Sequence, residues 1–179
     1  NDCTPSVVFV SNAEQFNKIK NIVNNKEFIK KIFSFEKLDG INENHYININ
    51  NLFSNSDNEF NIFKPKIIRK DPACIIYTSG TQGNPKGVIL SHGGILANCE
   101  GAYDLLLPLI NKRDPIFLTW LPLSHSYEHT VQYVQILLGA QIFYAESLEK
   151  LLSNMAIAKP TIMTAVPRFY QNLYNKINM

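Results

Sequence analysis

The sequence predicts an α/β fold, a doubly wound and mainly parallel sheet with helices on both faces. Three observations predict it. Short apolar runs alternate with longer stretches whose apolar residues recur at helical spacing, the rhythm of strand–helix–strand units. Capping and turn residues such as Asn12, Ser91, Gly139 and Pro167 stand where one kind of stretch gives way to the other. A hydrophobic content of 45% over 179 residues is enough for the core of about one domain.

Taken in order, residues 7–10 read as a buried strand. Asn12 can cap a helix running to about residue 24, with Phe16, Ile19, Ile22 and Val23 on one face. Residues 31–35 read as a second strand. Residues 39–64 are rich in asparagine and lack apolar periodicity, so they read as a surface insertion or loop with at most a short helix near 49–53. Strands follow at 73–77 and 87–90, joined by a polar, glycine-containing loop. Ser91 caps a helix to about residue 107, which Pro108 helps to end. A strand at 115–121, a helix at 126–138 closed by Gly139, and a strand at 141–144 come next. A helix at 147–158, a strand at 161–166 and a last helix at 168–177, opened by Pro167, complete the pattern.

Composition excludes several classes. A net charge of +2 without a basic stripe gives no nucleic-acid partner. The three cysteines, Cys3, Cys74 and Cys99, are far apart with no Cys-x-x-Cys, which argues for a reducing compartment and against a disulfide scaffold or zinc site. Cys74 and Cys99 lie among apolar residues and read as core. Phe117, Trp120, Leu137 and Phe143 read as core too. No apolar run reaches the roughly 18 residues that a membrane helix needs.

The chemistry is concentrated at 77–88, Tyr-Thr-Ser-Gly-Thr-Gln-Gly-Asn-Pro-Lys-Gly-Val. Glycines let backbone N–H groups turn around an anion, hydroxyls add donors, and Lys86 adds a full charge. The loop suits a polyphosphate. It is not a Walker A loop, because Gly87 follows Lys86 where that pattern has Ser or Thr. Gly80, Gly83 and Gly87 do not make the dinucleotide fingerprint either. The segment resembles the phosphate-binding motif of the adenylate-forming enzymes, Tyr/Phe-Thr-Ser-Gly-Thr-Thr-Gly-x-Pro-Lys-Gly, with Gln82 in place of the second threonine.

Two further stretches are similar to that family. Leu121-Pro122-Leu123-Ser124-His125-Ser126-Tyr127-Glu128-His129 resembles the Leu-Pro-Leu-x-His-x-x-Glu-Arg motif of its long-chain acyl-CoA synthetase branch. His129 stands in the place of the arginine. Val166-Pro167-Arg168 resembles a Val-Pro-Arg-x-x-Glu stretch, with Gln171 at the glutamate position. The resemblance implies ATP phosphate contacts by Thr78, Ser79, Gly80, Thr81, Gln82, Gly83 and Lys86. It implies acyl contacts by His125 and Tyr127, structural polar contacts by Glu128 and a structural role for His92; Arg168 reads as a contact to a neighbouring domain or loop, or else as solvated surface charge.

It also implies that residues 1–179 are part of an N-terminal AMP-binding domain, with 73–179 its core and the C-terminal domain absent. The parent enzyme would be a long-chain fatty acid–CoA ligase using ATP, Mg²⁺ and CoA. It would work in the cytoplasm or on the cytosolic face of an intracellular membrane, with peripheral attachment. The metal-binding glutamate, the ribose-binding aspartate and the catalytic lysine of the family find no match in these residues, so no metal ligand is assigned and the fragment alone is expected to be inactive. Two other readings stand beside this one: adenylation of another carboxylate, and a non-catalytic nucleotide-binding or interaction module.

Overall fold

A computed structural model describes residues 2–24, 26–39, 46–53, 65–80, 83–111 and 113–178. The chain divides into two compact units, Asn1–Lys64 and Pro65–Met179.

The first unit holds β1 (Val7–Val10), α1 (Ala13–Asn24), β2 (Lys31–Ser34), β3 (Tyr46–Asn48) and α2 (Asn50–Phe53). Its three strands form a parallel sheet in the order β1-β2-β3, in register Val7↔Lys31 and Ile32↔Tyr46. Asn12 Oδ1 accepts the Gln15 N–H at 3.1 Å, the capping bond that opens α1. The core gathers Val10, Phe16, Ile29, Ile32 and Leu38, with Ile19 and Val23 packed against it. Ile22 departs from the predicted face and is half exposed, because Phe16, Ile19 and Val23 already complete the buried stripe. β1 buries only Val10, while Phe9 is exposed and stacks on Phe33 at 5.1 Å. The asparagine-rich stretch supplies β3, which its composition does not announce. Tyr46 anchors that strand: its hydroxyl lies 2.8 Å from Ser34 Oγ and accepts the Leu38 N–H at 3.0 Å. Residues 40–45 and 54–64 of the predicted insertion lie outside the described residues.

The second unit runs β4 (Pro72–Thr78), β5 (Lys86–Ser91), α3 (His92–Ile110), β6 (Ile116–Thr119), α4 (Ser126–Leu137), β7 (Gln141–Tyr144), α5 (Leu151–Ala158) and α6 (Pro167–Ile177). β6 and β7 pair in parallel. β4 and β5 form an antiparallel hairpin, so the mainly parallel expectation holds for two of the three sheets among the described residues. Ile95 and Cys99 of α3 meet Val134 of α4 in a second core, which Cys74 and Leu90 flank.

Four boundaries differ from the sequence reading, each for a local reason. α3 continues through Pro108 to Ile110, since a proline in the last turn removes only one helical hydrogen bond. α5 starts at Leu151 rather than 147, because Ser147 Oγ accepts the Lys150 N–H and the Asn154 amide binds Glu146, holding a turn there. β6 is shorter than the predicted 115–121 strand and ends at Thr119. The predicted strand at 161–166 is absent: a single bridge joins Ile162 to Phe117. Beyond it, side chains take the backbone and side-chain bonds of Thr164, as described below, so no ladder continues. Phe117 is buried as predicted, but Leu137 is half exposed on the outer face of α4.

Candidate active site

The glycine-containing loop is the tip of the β4–β5 hairpin. Register pairs Tyr77 with Gly87 and Thr78 with Lys86, so the loop leaves and re-enters the sheet between a hydroxyl and an ammonium. Gly80 and Gly83 have φ of +59° and +82°, the left-handed region that other residues enter only with strain. A Cβ on Gly80 would also collide with the Asn84 carbonyl oxygen, whereas one on Gly83 would meet open space. Gly87 serves closeness instead: a Cβ there would lie 2.9 Å from Ile75 Cγ2. Thr78, Ser79 and Lys86 are exposed, and Lys86 makes no ion pair among the described residues. Thr81 and Gln82 lie outside the described residues. Two exposed hydroxyls and an ammonium with no ion pair among the described residues form a surface that favours an anion, while the Gly83 N–H is donated to the Gly80 carbonyl at 3.5 Å.

At the other end of β5 a cavity of about 670 Å³ opens between β5, α3 and α4. That volume falls within the ~300–1,000 Å³ of small-molecule sites. Ile89, Leu90 and Ser91 come from the strand. Gly94, Asn98 and Ala102, four residues apart on α3, form one wall. Tyr127, Thr130, Val131 and Val134 of α4 form the other. α3 is aimed by its cap, in which Ser91 Oγ accepts the Gly94 N–H at 3.1 Å. Ile89 is three residues along β5 from Lys86, about 10 Å at the rise of a strand. One strand thus carries the anion-favouring loop and an apolar cavity.

The structure separates the two predicted acyl contacts. Tyr127 lines the cavity. His125 is exposed at the N-cap of α4, makes no side-chain capping bond and is not a lining residue. Asn98, Ala102, Thr130 and Val131 line the cavity without having been singled out from sequence. Their signal is the four-residue spacing on α3 and the three- and four-residue spacing from Tyr127 on α4, which alone does not distinguish a cavity wall from a core face. Trp120 is not a cavity residue: its Nε1–H donates to the Thr164 carbonyl at 2.8 Å, and its ring packs on Phe169 at 5.0 Å. Arg168 is exposed in the first turn of α6. His129, in the place of the motif's arginine, sets Nε2 3.5 Å from Cys74 Sγ and meets Tyr133 edge-on. Burial and, secondarily, Glu100 push the Cys99 thiol upward in pKa, as suits a core thiol.

Glu128 makes the structural polar contact expected of it, in a setting the sequence does not show. It is 1% exposed, and Oε2 accepts the Thr164 hydroxyl at 2.8 Å. Oε1 is buried without a hydrogen-bond partner among the described residues. One turn-pair along the same face, buried Gln135 donates Nε2–H to Thr119 Oγ1 at 2.9 Å. Burial raises the Glu128 pKa from its ordinary 4.5, against the smaller opposing pull of the Thr164 and Thr119 hydroxyls. The folded state therefore keeps this proton to higher pH than the unfolded state does. Stability contributed by the neutral carboxyl is lost as pH rises from the unfolded value through the raised one. Full-length protein carrying Glu128→Gln is expected to be insensitive to pH at this site. Its stability relative to wild type should rise between acid and neutral pH in denaturant melts, and a constant difference would refute the burial argument.

Among the described residues no group of three or more His, Cys, Asp or Glu side chains could hold a metal ion. Mg²⁺ held with a nucleotide takes only about one or two protein ligands beside phosphate oxygens, so no ligand is assigned to it here and no step below is routed through it. Among the described residues no helix is long and apolar enough to cross a membrane.

Comparison with known proteins agrees with this architecture. Long chain acyl-CoA synthetase 7, peroxisomal, of Arabidopsis thaliana is 38% identical over 109 residues, 60% of this chain and 15% of that protein. Long-chain-fatty-acid–CoA ligase 6 of Mus musculus is 35% identical over 109 residues, 60% of this chain and 16% of that protein. The chain thus matches a small part of the length of these curated relatives. A solved structure described as a long-chain-fatty-acid CoA ligase of Rhodopseudomonas palustris superimposes with a TM-score of 0.74 over 97% of this chain and 41% of its own, at 19% identity. The o-succinylbenzoate CoA synthetase of Bacillus subtilis, solved with its acyl-adenylate intermediate, gives 0.66 over 93% and 44%, at 20% identity. These likenesses establish the fold. The AMP-binding enzyme family matches residues 1–178, almost the whole chain, and the chain belongs to that family.

Proposed function

We propose that the full-length protein is a long-chain fatty acid–CoA ligase, and that this chain contributes its phosphate loop and part of its acyl site. The observation that carries the reading is β5, with the loop ending at Lys86 and the cavity beginning at Ile89. A fatty acid whose tail lies between α3 and α4 would bring its carboxylate toward nucleotide phosphates held at Thr78, Ser79, Gly80, Thr81, Gln82, Gly83 and Lys86. Tyr127 contacts the acyl chain, and His125, two residues before it at the N-cap of α4, is the second acyl contact. The carboxylate oxygen attacks the α-phosphorus of ATP, the bond to the bridging oxygen breaks, and pyrophosphate leaves with the negative charge. The CoA thiolate then attacks the acyl carbonyl and expels AMP. Lys86 and the loop donors offset charge on the departing pyrophosphate, and the cavity holds the reactants in line. Mg²⁺ bound with the nucleotide would neutralise phosphate charge. We place the enzyme in the cytoplasm or peripherally on the cytosolic face of an intracellular membrane, in keeping with its sparse, unpaired cysteines.

The test is fatty-acid-dependent pyrophosphate release and thioester formation by the full-length protein. Tyr127→Ala is expected to raise the fatty-acid KM about tenfold through lost apolar contact, with the ATP KM little changed. Absence of thioester with every straight-chain fatty acid tried would overturn the reading.

A further inference from the structure

We propose that Glu128 and Thr164 form a positioning pair that sets α4 against the 161–166 stretch and thereby fixes the Tyr127 wall of the cavity. This inference rests on the acyl-site reading given above. Thr164 is gripped from two sides. Its hydroxyl donates to Glu128 Oε2 and its carbonyl accepts from Trp120 Nε1, both at 2.8 Å. Trp120 lies just beyond β6 and packs on Phe169 of α6, while Glu128 is one residue from Tyr127 in the first turn of α4. The end of β6 and the first turn of α4 therefore meet at one threonine, and α6 joins them through the Trp120 ring, in a segment that lacks a strand ladder of its own.

The first turn of α4 needs such a fastening. His125 gives it no side-chain cap, and Tyr127 is 57% exposed and so is not held by packing. Glu128 beside them is 1% exposed. A buried carboxyl with one oxygen unpartnered among the described residues is a costly choice for packing alone, since an apolar residue would fill the space without it. What the carboxyl adds over an apolar residue is a directed bond to Thr164, and that bond orients the turn carrying Tyr127. Glu128 is absent from the cavity lining, so it acts through its neighbour and not on the substrate.

The test uses full-length enzyme and reads fatty-acid and ATP KM separately. Thr164→Val keeps the shape and removes the hydroxyl, and is expected to raise the fatty-acid KM about tenfold, with ATP KM within about twofold. Thr164→Ser, which restores the hydroxyl, should bring the fatty-acid KM back to within about twofold of wild type. Should Thr164→Val fail to fold, Glu128→Asp, which withdraws the carboxyl by one methylene, should raise the fatty-acid KM selectively in its place. An unchanged fatty-acid KM, or equal increases for fatty acid and ATP, would overturn the proposal, the second result marking a merely structural bond. Tyr127→Ala separates the two readings. If it raises the fatty-acid KM and Thr164→Val does not, the positioning pair alone fails. If it has no effect, the acyl site is misplaced and both fail.

Discussion

Replacing Lys86 by alanine in the full-length protein is expected to cut ATP-dependent adenylation by roughly one to two orders of magnitude, while fatty-acid binding stays near normal. Lys86 is the cation at the mouth of the hairpin, opposite Thr78, and it has no competing ion pair among the described residues. Its charge is therefore available to a ligand. Charge-assisted hydrogen bonds contribute about 1.5–3 kcal/mol, against about 1 kcal/mol for a neutral one. Losing Lys86 should then cost more than Ser79→Ala, which removes a neutral hydroxyl. Pyrophosphate release against ATP concentration reads the difference. Wild-type behaviour of Lys86→Ala would show that the loop does not hold phosphate. Gln82→Thr restores the resembled motif and should be neutral or mildly activating; severe damage would mean that this loop depends on glutamine.

The second large effect is expected at Gly80. Alanine there must adopt a φ near +59° and also displace the Asn84 carbonyl. The left-handed conformation costs about 1–2 kcal/mol before the collision is counted. Gly83 shares the positive φ but faces open space, so Gly83→Ala carries the backbone cost alone. Gly80→Ala should lower ATP-dependent turnover several-fold more than Gly83→Ala. Both costs fall on the folded state, so melting should drop by roughly 2–4 °C per kcal/mol, more for Gly80→Ala than for Gly83→Ala. Equal activity losses would mean that the loop rearranges freely around position 80.

The family was legible because its motif is chemistry written locally. A run of glycines, hydroxyls and one lysine between two apolar segments needs no distant residue to be recognised. Helix starts were legible for the same reason: Asn12, Ser91 and Pro167 act on backbone groups one to three residues away. The hairpin pairing of β4 with β5 was not, because apolar runs do not state their direction. Nor was β3, whose residues Tyr-Ile-Asn lie in a polar stretch and become a strand only when the Tyr46 hydroxyl finds Ser34 and Leu38.

What the sequence determined by itself was the α/β rhythm, the membership in the AMP-binding family and the glycine, hydroxyl and lysine content of the hairpin loop, all set by residues adjacent in the chain. Tertiary structure alone decided which long-range partners satisfy which groups. It placed Tyr127 on a cavity wall and left His125 outside the lining. It exposed Leu137 and buried Glu128. It also denied residues 161–166 a strand, because Trp120 and Glu128, 44 and 36 residues away in sequence, take the hydrogen bonds of Thr164. The physical reason is that burial and hydrogen-bond completion depend on what packs from distant parts of the chain, which a local pattern cannot encode.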